Sequence, residues 1–197
     1  LLFPAPLIAL VLAQPDVGTV STYMVIWAGI MFIAGLRVLH MVLFVGVAGA
    51  SAPLVWMMMH DYMRERVLIF LDPTRDPLKA GYNVIQALIS VGSGGLTGRG
   101  FTSGTQSQLH FLRVKYADFI FSVLAEELGL IGAAVLLGLF LVLLLRGLRV
   151  MAIAPDLFGR LVATGIVSVV SYQVVVSVGM NLGLLPVTGV TLPLISY

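Results

Sequence analysis

Few side chains in this sequence can do chemistry, and most of those stand where a polar stretch gives way to an apolar run. Asp118 occupies such an edge, in Tyr116-Ala117-Asp118-Phe119-Ile120-Phe121. Partial desolvation there raises a carboxylate's pKa and improves it as a proton acceptor. An Asp ahead of an apolar helix can also be an N-cap, accepting backbone N–H bonds and favouring the helix dipole. From position alone the cap is the plainer reading. Glu126 and Glu127 lie deeper in the same run, and carboxylates below a membrane interface are costly and usually face a cavity or partner. On a straight helix Glu126 would stand about 12 Å along the axis from Asp118 and about 80° round it, so the two form no paired-carboxylate site. For both glutamates a structural ion pair or cavity lining competes with function.

Gly92-Ser93-Gly94-Gly95-Leu96-Thr97-Gly98-Arg99-Gly100 invites a phosphate-loop reading. It lacks the Gly-Lys-Ser/Thr ending of a nucleotide P-loop and follows an amphipathic helix pattern, not a strand, so a Walker or Rossmann assignment fails on context. What survives is weaker: exposed backbone N–H groups and Arg99 holding an anionic head group near a bilayer, against an ordinary flexible loop. His40, His60 and His110 show no metal-ligand spacing, and no metal site is assigned. Trp56 and Met57-Met58-Met59 read as packing and interface anchoring.

The elements that must position these residues follow from composition. Of 197 residues 59% are apolar and 10% charged, and mean hydropathy is +1.07; a soluble domain is about 45–50% apolar and about 25% charged. That excludes a soluble globular enzyme, a disordered tail and a nucleic-acid-binding module. The net charge of +2 indicates no basic partner-binding face, and the absence of cysteine removes disulfide and thiolate chemistry. The expected fold is all-α: a polytopic transmembrane helical bundle, each crossing needing about 20 mostly apolar residues. Spans are expected at 17–36, 38–59, 119–145 and about 161–182, with a loop or re-entrant piece after the last, where Pro186 and Pro193 break the pattern. Residues 61–118 hold 12 of the 20 charges and form a large water-facing loop. Within it, 78–91 has apolar Leu78, Tyr82, Ile85, Leu88 and Ile89 opposite Lys79, Asn83 and Gln86, an amphipathic helix suited to the interface plane. Three parts result: membrane helices in 1–60, the first partial; the loop in 61–118; and membrane helices in 119–197. The chain starts at Leu1-Leu2-Phe3 and stops at Ser196-Tyr197 inside apolar runs, so both ends read as cuts through a larger protein. Short connections carrying Arg37, Arg146, Arg149 and Arg160 favour their side as cytoplasmic, while seven Lys/Arg in the long loop pull the other way.

Five ordered motifs together resemble one family. They are Gln14-Pro15-Asp16-Val17-Gly18-Thr19, Gly81-Tyr82-Asn83-Val84-Ile85-Gln86, Gly92-Ser93-Gly94-Gly95-Leu96, Asp118-Phe119-Ile120-Phe121 through Glu126-Glu127-Leu128-Gly129, and Leu185-Pro186-Val187-Thr188-Gly189 to Leu192-Pro193-Leu194-Ile195-Ser196-Tyr197. Their order and content resemble the SEDS proteins (shape, elongation, division and sporulation), and Gly104-Thr105-Gln106-Ser107-Gln108-Leu109 is similar to the RodA branch more than the FtsW branch. The chain would correspond to roughly the C-terminal half of such a protein, stopping before the last span.

The resemblance implies a bacterial inner-membrane peptidoglycan glycosyltransferase that polymerises lipid II at the outer face during cell elongation. It implies that the 61–118 loop faces the periplasm or cell exterior, and that undecaprenyl diphosphate is the leaving group. The family's essential Asp falls on Asp118, which displaces the cap reading with that of a catalytic base. Arg99, Lys79, Arg113, Lys115 or a bound divalent ion would meet the diphosphate, Arg99 first, and Gln86, Ser93 and Gln106 join the expected substrate-binding set. Membrane lipids and a class B penicillin-binding protein, a transpeptidase, are the implied partners. Two other classes stay open: a lipid II flippase, motivated by Glu126 and Glu127, and a non-catalytic scaffold for the penicillin-binding protein. One departure matters. The family commonly has Leu-Pro-Glu and His-Thr ahead of its Asp, where this chain has Leu112-Arg113-Val114-Lys115-Tyr116-Ala117, so Asp118 lacks that His and Glu and Tyr116 is the nearest substitute.

Overall fold

The structure, a computed structural model, describes residues 10–11, 16–59, 61–73, 80–100 and 118–196. Among these residues every regular element is helical: α1 Val17–Ile33, α2 Val38–Met58, α3 Asp61–Leu71, α4 Ala80–Ser93, α5 Ile120–Ile153 and α6 Leu157–Asn181. Three are long and apolar enough to cross a membrane, over Val38–Met57, Ile120–Ile153 and Leu157–Asn181, while Val17–Ile33 is apolar but shorter. The chain packs as two units, residues 1–64 with 144–172 and residues 65–143 with 173–197.

In the first unit Asp16 caps α1, its carboxylate accepting the Thr19 amide at 3.1 Å and the Thr19 hydroxyl at 2.6 Å. Small residues let α1 and α6 approach. A Cβ at Gly29 would strike the Ser168 hydroxyl, and Gly165 faces Ile30 and Ile26. A polar contact ties the pair, the Tyr172 hydroxyl donating to Ser21 Oγ at 2.6 Å. Bonds of this kind between apolar helices contribute about 0.6 kcal/mol on average. Tyr172→Phe, which keeps the ring, is therefore expected to lower the thermal unfolding temperature in detergent by only a few degrees. A collapse of the fold would show that the contact carries more than a single hydrogen bond. α2 buries none of the window that could span, and Val45 and Met57 are about three-quarters exposed. A helix apolar all round belongs against hydrocarbon or protein, not water. Its last carbonyls, of Trp56 and Met57, accept from the Arg64 guanidinium at 2.9 and 2.7 Å, so the first turns of α3 finish α2.

The second unit holds the residues of interest. The helix expected over 78–91 is found as Ala80–Ser93. Its buried line is Gly81, Val84, Ala87 and Ser90, at every third position, whereas Leu88 and Ile89 are exposed. Gly81, Val84, Ala87 and Ser90 thus face the protein while Leu88 and Ile89 face outward, as suits a helix whose outer side meets lipid. Ala87 packs with Phe119, Val123 and Val187, joining α4 to the start of α5 and to the segment after α6.

The expected third span departs most from expectation. α5 covers 34 residues, about 50 Å at 1.5 Å per residue and too long for a hydrocarbon core of about 30 Å. It is broken at Gly129, whose φ of 68° and ψ of −165° lie outside the helical region. Residues 130–153 alone reach about 36 Å. Glu126 and Glu127 therefore belong to a short leading piece, before the stretch long enough to span. After α6 the chain runs without regular structure from Leu182 to Ser196, as the prolines imply.

Candidate functional site

The break in α5 explains the glycine-rich segment. A helix interrupted among apolar neighbours leaves carbonyls and amides that need partners. Arg99 N–H donates to the Glu126 carbonyl at 3.0 Å and Gly100 N–H to that of Glu127 at 3.1 Å. On the far side of the break, Leu130 N–H donates to the Gly95 carbonyl at 2.9 Å and Ile131 N–H to that of Leu96 at 3.1 Å. The turn closes on itself through Gly98 N–H to the Gly94 carbonyl at 2.8 Å. Residues 95–100 are thus a backbone splint across the broken helix. This corrects the expectation that the segment's amides are open to an anion: those of Gly98, Arg99 and Gly100 are already donated within the protein. The Arg99 side chain is exposed and its Nε donates to the Ser93 carbonyl at 3.2 Å, which brings together two members of the expected substrate-binding set. Gln86 lies half-buried on α4, its carbonyl accepting from the Ser90 hydroxyl at 2.9 Å. Lys79, Gln106 and Lys115 lie outside the described residues, as do Arg113 and Tyr116.

Asp118 sits at the entrance of α5 and is half-buried. In the first turn of the helix the Ser122 amide donates to Asn181 Oδ1 at 3.1 Å, so a side chain from α6 caps that amide. The Ser122 hydroxyl donates to the same oxygen at 2.6 Å. The other end of that amide, Asn181 Nδ2, donates to the Asp118 carbonyl at 2.9 Å and to the Ser177 carbonyl at 2.7 Å. Asn181 is fully buried, with both ends of its amide bonded. It clamps the first turn of α5 to the end of α6 and holds Asp118 by its backbone, leaving the carboxylate to its surroundings. Burial raises the Asp118 pKa, and the Arg66 guanidinium pulls it back down. Arg66, on α3, is half-buried and donates from Nη1 to the Val187 carbonyl at 2.9 Å. Val187 in turn packs against the cluster of Ala87 and Phe119, and Phe119 is the neighbour of Asp118. Nearby segments carry polar atoms that are buried and unpartnered, Asn83 Oδ1, Ser177 Oγ and Thr188 Oγ1.

Asn181→Leu keeps the volume and strands the Ser122 amide and hydroxyl, each unmade buried bond costing about 1–3 kcal/mol. It is expected to lower the unfolding temperature well below that of the wild type, whereas Ser122→Ala, which removes only one donor, costs about 1 kcal/mol. Equal melting of the two variants would show that the clamp is not what holds the entrance of α5.

Asp118, Arg66, Ser122 and Asn181 therefore form one constellation, and Ser93 and Arg99 accompany Glu126 and Glu127 at the splint. Asn181, Ser122 and Arg66 do not stand out in the sequence. Asn181 offers a faint signal, an amide within a 37-residue stretch, 161–197, that has no charged residue. Among the described residues no group of three or more His, Cys, Asp or Glu comes together to hold a metal ion. At Asp118 the described cation is Arg66.

Apolar helices of spanning length, joined by polar segments and carrying a half-buried acid where the longest begins, make this an integral membrane protein of the polytopic helical class. All of residues 1–197 match the family model FTSW_RODA_SPOVE, described as cell cycle protein, and the chain belongs to that family. It is 48% identical over 189 residues to the peptidoglycan glycosyltransferase MrdB of Escherichia coli (strain K12), an alignment covering 95% of this chain and 51% of the relative. It is 42% identical over 188 residues to stage V sporulation protein E of Bacillus subtilis (strain 168), again with 95% and 51% coverage. Among solved structures it resembles a chain of a peptidoglycan synthase complex that coordinates polymerization and crosslinking, with a TM-score of 0.81 and 37% identity, covering 100% of this chain and 54% of that one. The chain spans about half the length of the curated relatives it matches.

Proposed function

We propose that the protein to which this chain belongs is a peptidoglycan glycosyltransferase that polymerises lipid II during cell elongation, with Asp118 as its general base. The observation that carries this reading is the Asp118 carboxylate at the entrance of α5, its pKa raised by burial with Arg66 acting against that rise. A base of this kind works best when its pKa approaches the working pH. The GlcNAc 4-hydroxyl of one lipid-linked unit attacks MurNAc C1 of another while Asp118 takes the hydroxyl proton. The new C1–O4 bond forms as the C1–O bond to the diphosphate breaks, and undecaprenyl diphosphate departs with the electron pair. Arg99, exposed beside Ser93, would meet the diphosphate, with Lys79 and Lys115 in the same role and Gln86 and Gln106 toward the sugars. The 61–118 segment would face the periplasm or cell exterior.

The named relatives support this reading, and the solved complex supports a further one, that the protein works beside a class B penicillin-binding protein crosslinking the strands it makes. The acids that motivate a transport reading, Glu126 and Glu127, lend their carbonyls to the splint, which favours a structural part for that stretch. The test is glycan synthesis from purified lipid II by the full-length protein, alone and with its transpeptidase. Wild type should polymerise and Asp118→Asn should not; equal rates would remove the assigned base.

A further inference from the structure

We infer that Arg66 is a positioning residue for the proposed reaction: anchored on the Val187 carbonyl, it holds its guanidinium charge by Asp118 and favours the carboxylate over the acid there. The inference rests on the reading of Asp118 as the base and goes beyond it, by assigning a task to a residue on another helix.

The geometry carries it. Arg66 projects from α3 and is fixed by its 2.9 Å bond to the Val187 carbonyl, in the segment that follows α6. Val187 packs in the cluster of Ala87 and Phe119, and Phe119 is the residue after Asp118. From the other side Asn181 bonds the Asp118 carbonyl. Guanidinium and carboxylate are thus carried by segments packed on one core, so their spacing follows from the fold. A half-buried charge is poorly screened and acts strongly on a neighbour. An Arg suits the task because it stays charged throughout the range in which a carboxylate titrates.

No other described charge takes its place. Arg66 is the charged group that lowers the Asp118 pKa, against the burial that raises it. On α4 residues 80–93 carry no charge and Tyr82 is their single titratable group, while residues 173–196 contain no titratable side chain. On α5 the nearest acids are Glu126 and Glu127, two turns along; on α3 the neighbouring Glu65 is exposed.

The experiment compares pH–rate profiles for lipid II polymerisation by the full-length protein with its partner: wild type, Arg66→Gln, Arg66→Lys and Asp118→Asn. Loss of the Arg66 charge lets the Asp118 pKa rise further, so the acid limb of Arg66→Gln should move upward by about one pH unit. Below the limb that is about a tenfold loss, recovered as the pH is raised. Arg66→Lys should keep the wild-type limb. A purely structural arginine would instead scale the rate equally at every pH, and an unmoved limb in Arg66→Gln overturns the inference while leaving the base reading intact. If Arg66→Gln does not fold, Arg66→Lys decides: a wild-type limb supports the inference, and uniform loss at all pH overturns it. Asp118→Asn is the separate control, for a wild-type rate from it at any pH would end the base reading itself.

Discussion

Full-length protein carrying Asp118→Asn is expected to make glycan from lipid II at least a hundredfold more slowly than wild type, in a gel assay of labelled lipid II at neutral pH. General-base catalysis by a placed side chain contributes about 10²–10⁴-fold, and an amide cannot take the proton. The substitution isolates chemistry from folding. Asn181 holds this position through the Asp118 carbonyl, not the carboxylate, so an isosteric amide leaves the clamp on α6 in place. The variant should melt at the wild-type temperature. Asp118→Glu, which keeps the acid but moves it by a methylene, should fall between the two. The wild-type rate should also fall on acidification at a higher pH than a water-exposed aspartate would dictate. Burial raises the pKa of this acid, so the proton that blocks it binds earlier on the way down, and Arg66 offsets only part of that rise. Asp118→Asn at the wild-type rate would sink the base assignment. A wild-type rate level down to the ordinary aspartate range would remove the role of burial.

How much of this was readable beforehand depends on whether a feature is local. Apolar length predicts the spans of α2, α5 and α6 because burying about 20 apolar residues in hydrocarbon is a property of the segment alone. The polar-to-apolar boundary likewise picks out Asp118. Periodicity finds α4 but does not say which face meets protein: the packing face is Gly81, Val84, Ala87 and Ser90, chosen for close approach and not for hydrophobicity. Arg66 is one of seven bases in residues 61–118, and nothing in its spacing ties it to Asp118. Asn181 reaches Ser122 across 59 residues, and only packing can bring such partners together. The break at Gly129 hides for a further reason. The apolar pattern continues through it, and a glycine within a helix pattern costs only about 1 kcal/mol, giving no sign of its φ. Glu126 and Glu127 just before it are the residue-level hint, since an acid pair fits poorly in an unbroken span.

That break leads to the second large effect, which concerns folding. Gly98→Ala and Gly129→Ala are each expected to destabilise the protein by about 4 kcal/mol or more, enough to remove most folded material after detergent extraction. Two costs combine. Both glycines have positive φ, 80° and 68°, where a side chain adds about 1–2 kcal/mol of strain. A Cβ at Gly98 would also run into the Glu127 carbonyl, and one at Gly129 into the Gly98 amide and the Leu96 carbonyl. These are backbone atoms of the splint itself and cannot swing aside. Relief requires parting the loop from the helix, which strands the carbonyls of Glu126 and Glu127 and the amides of Leu130 and Ile131. Neighbouring glycines supply the controls. Gly92 has open space around it and no positive φ, so Gly92→Ala should be neutral; Gly95 has open space but a φ of 55°, so Gly95→Ala should cost strain alone. Thermal unfolding of the purified series should therefore rank Gly92→Ala near wild type, Gly95→Ala below it, and Gly98→Ala and Gly129→Ala far lower. If Gly98→Ala melted beside Gly92→Ala, residues 95–100 would be a surface loop that happens to lie near α5. The leading piece of that helix, with Asp118 at its mouth, would then need some other support.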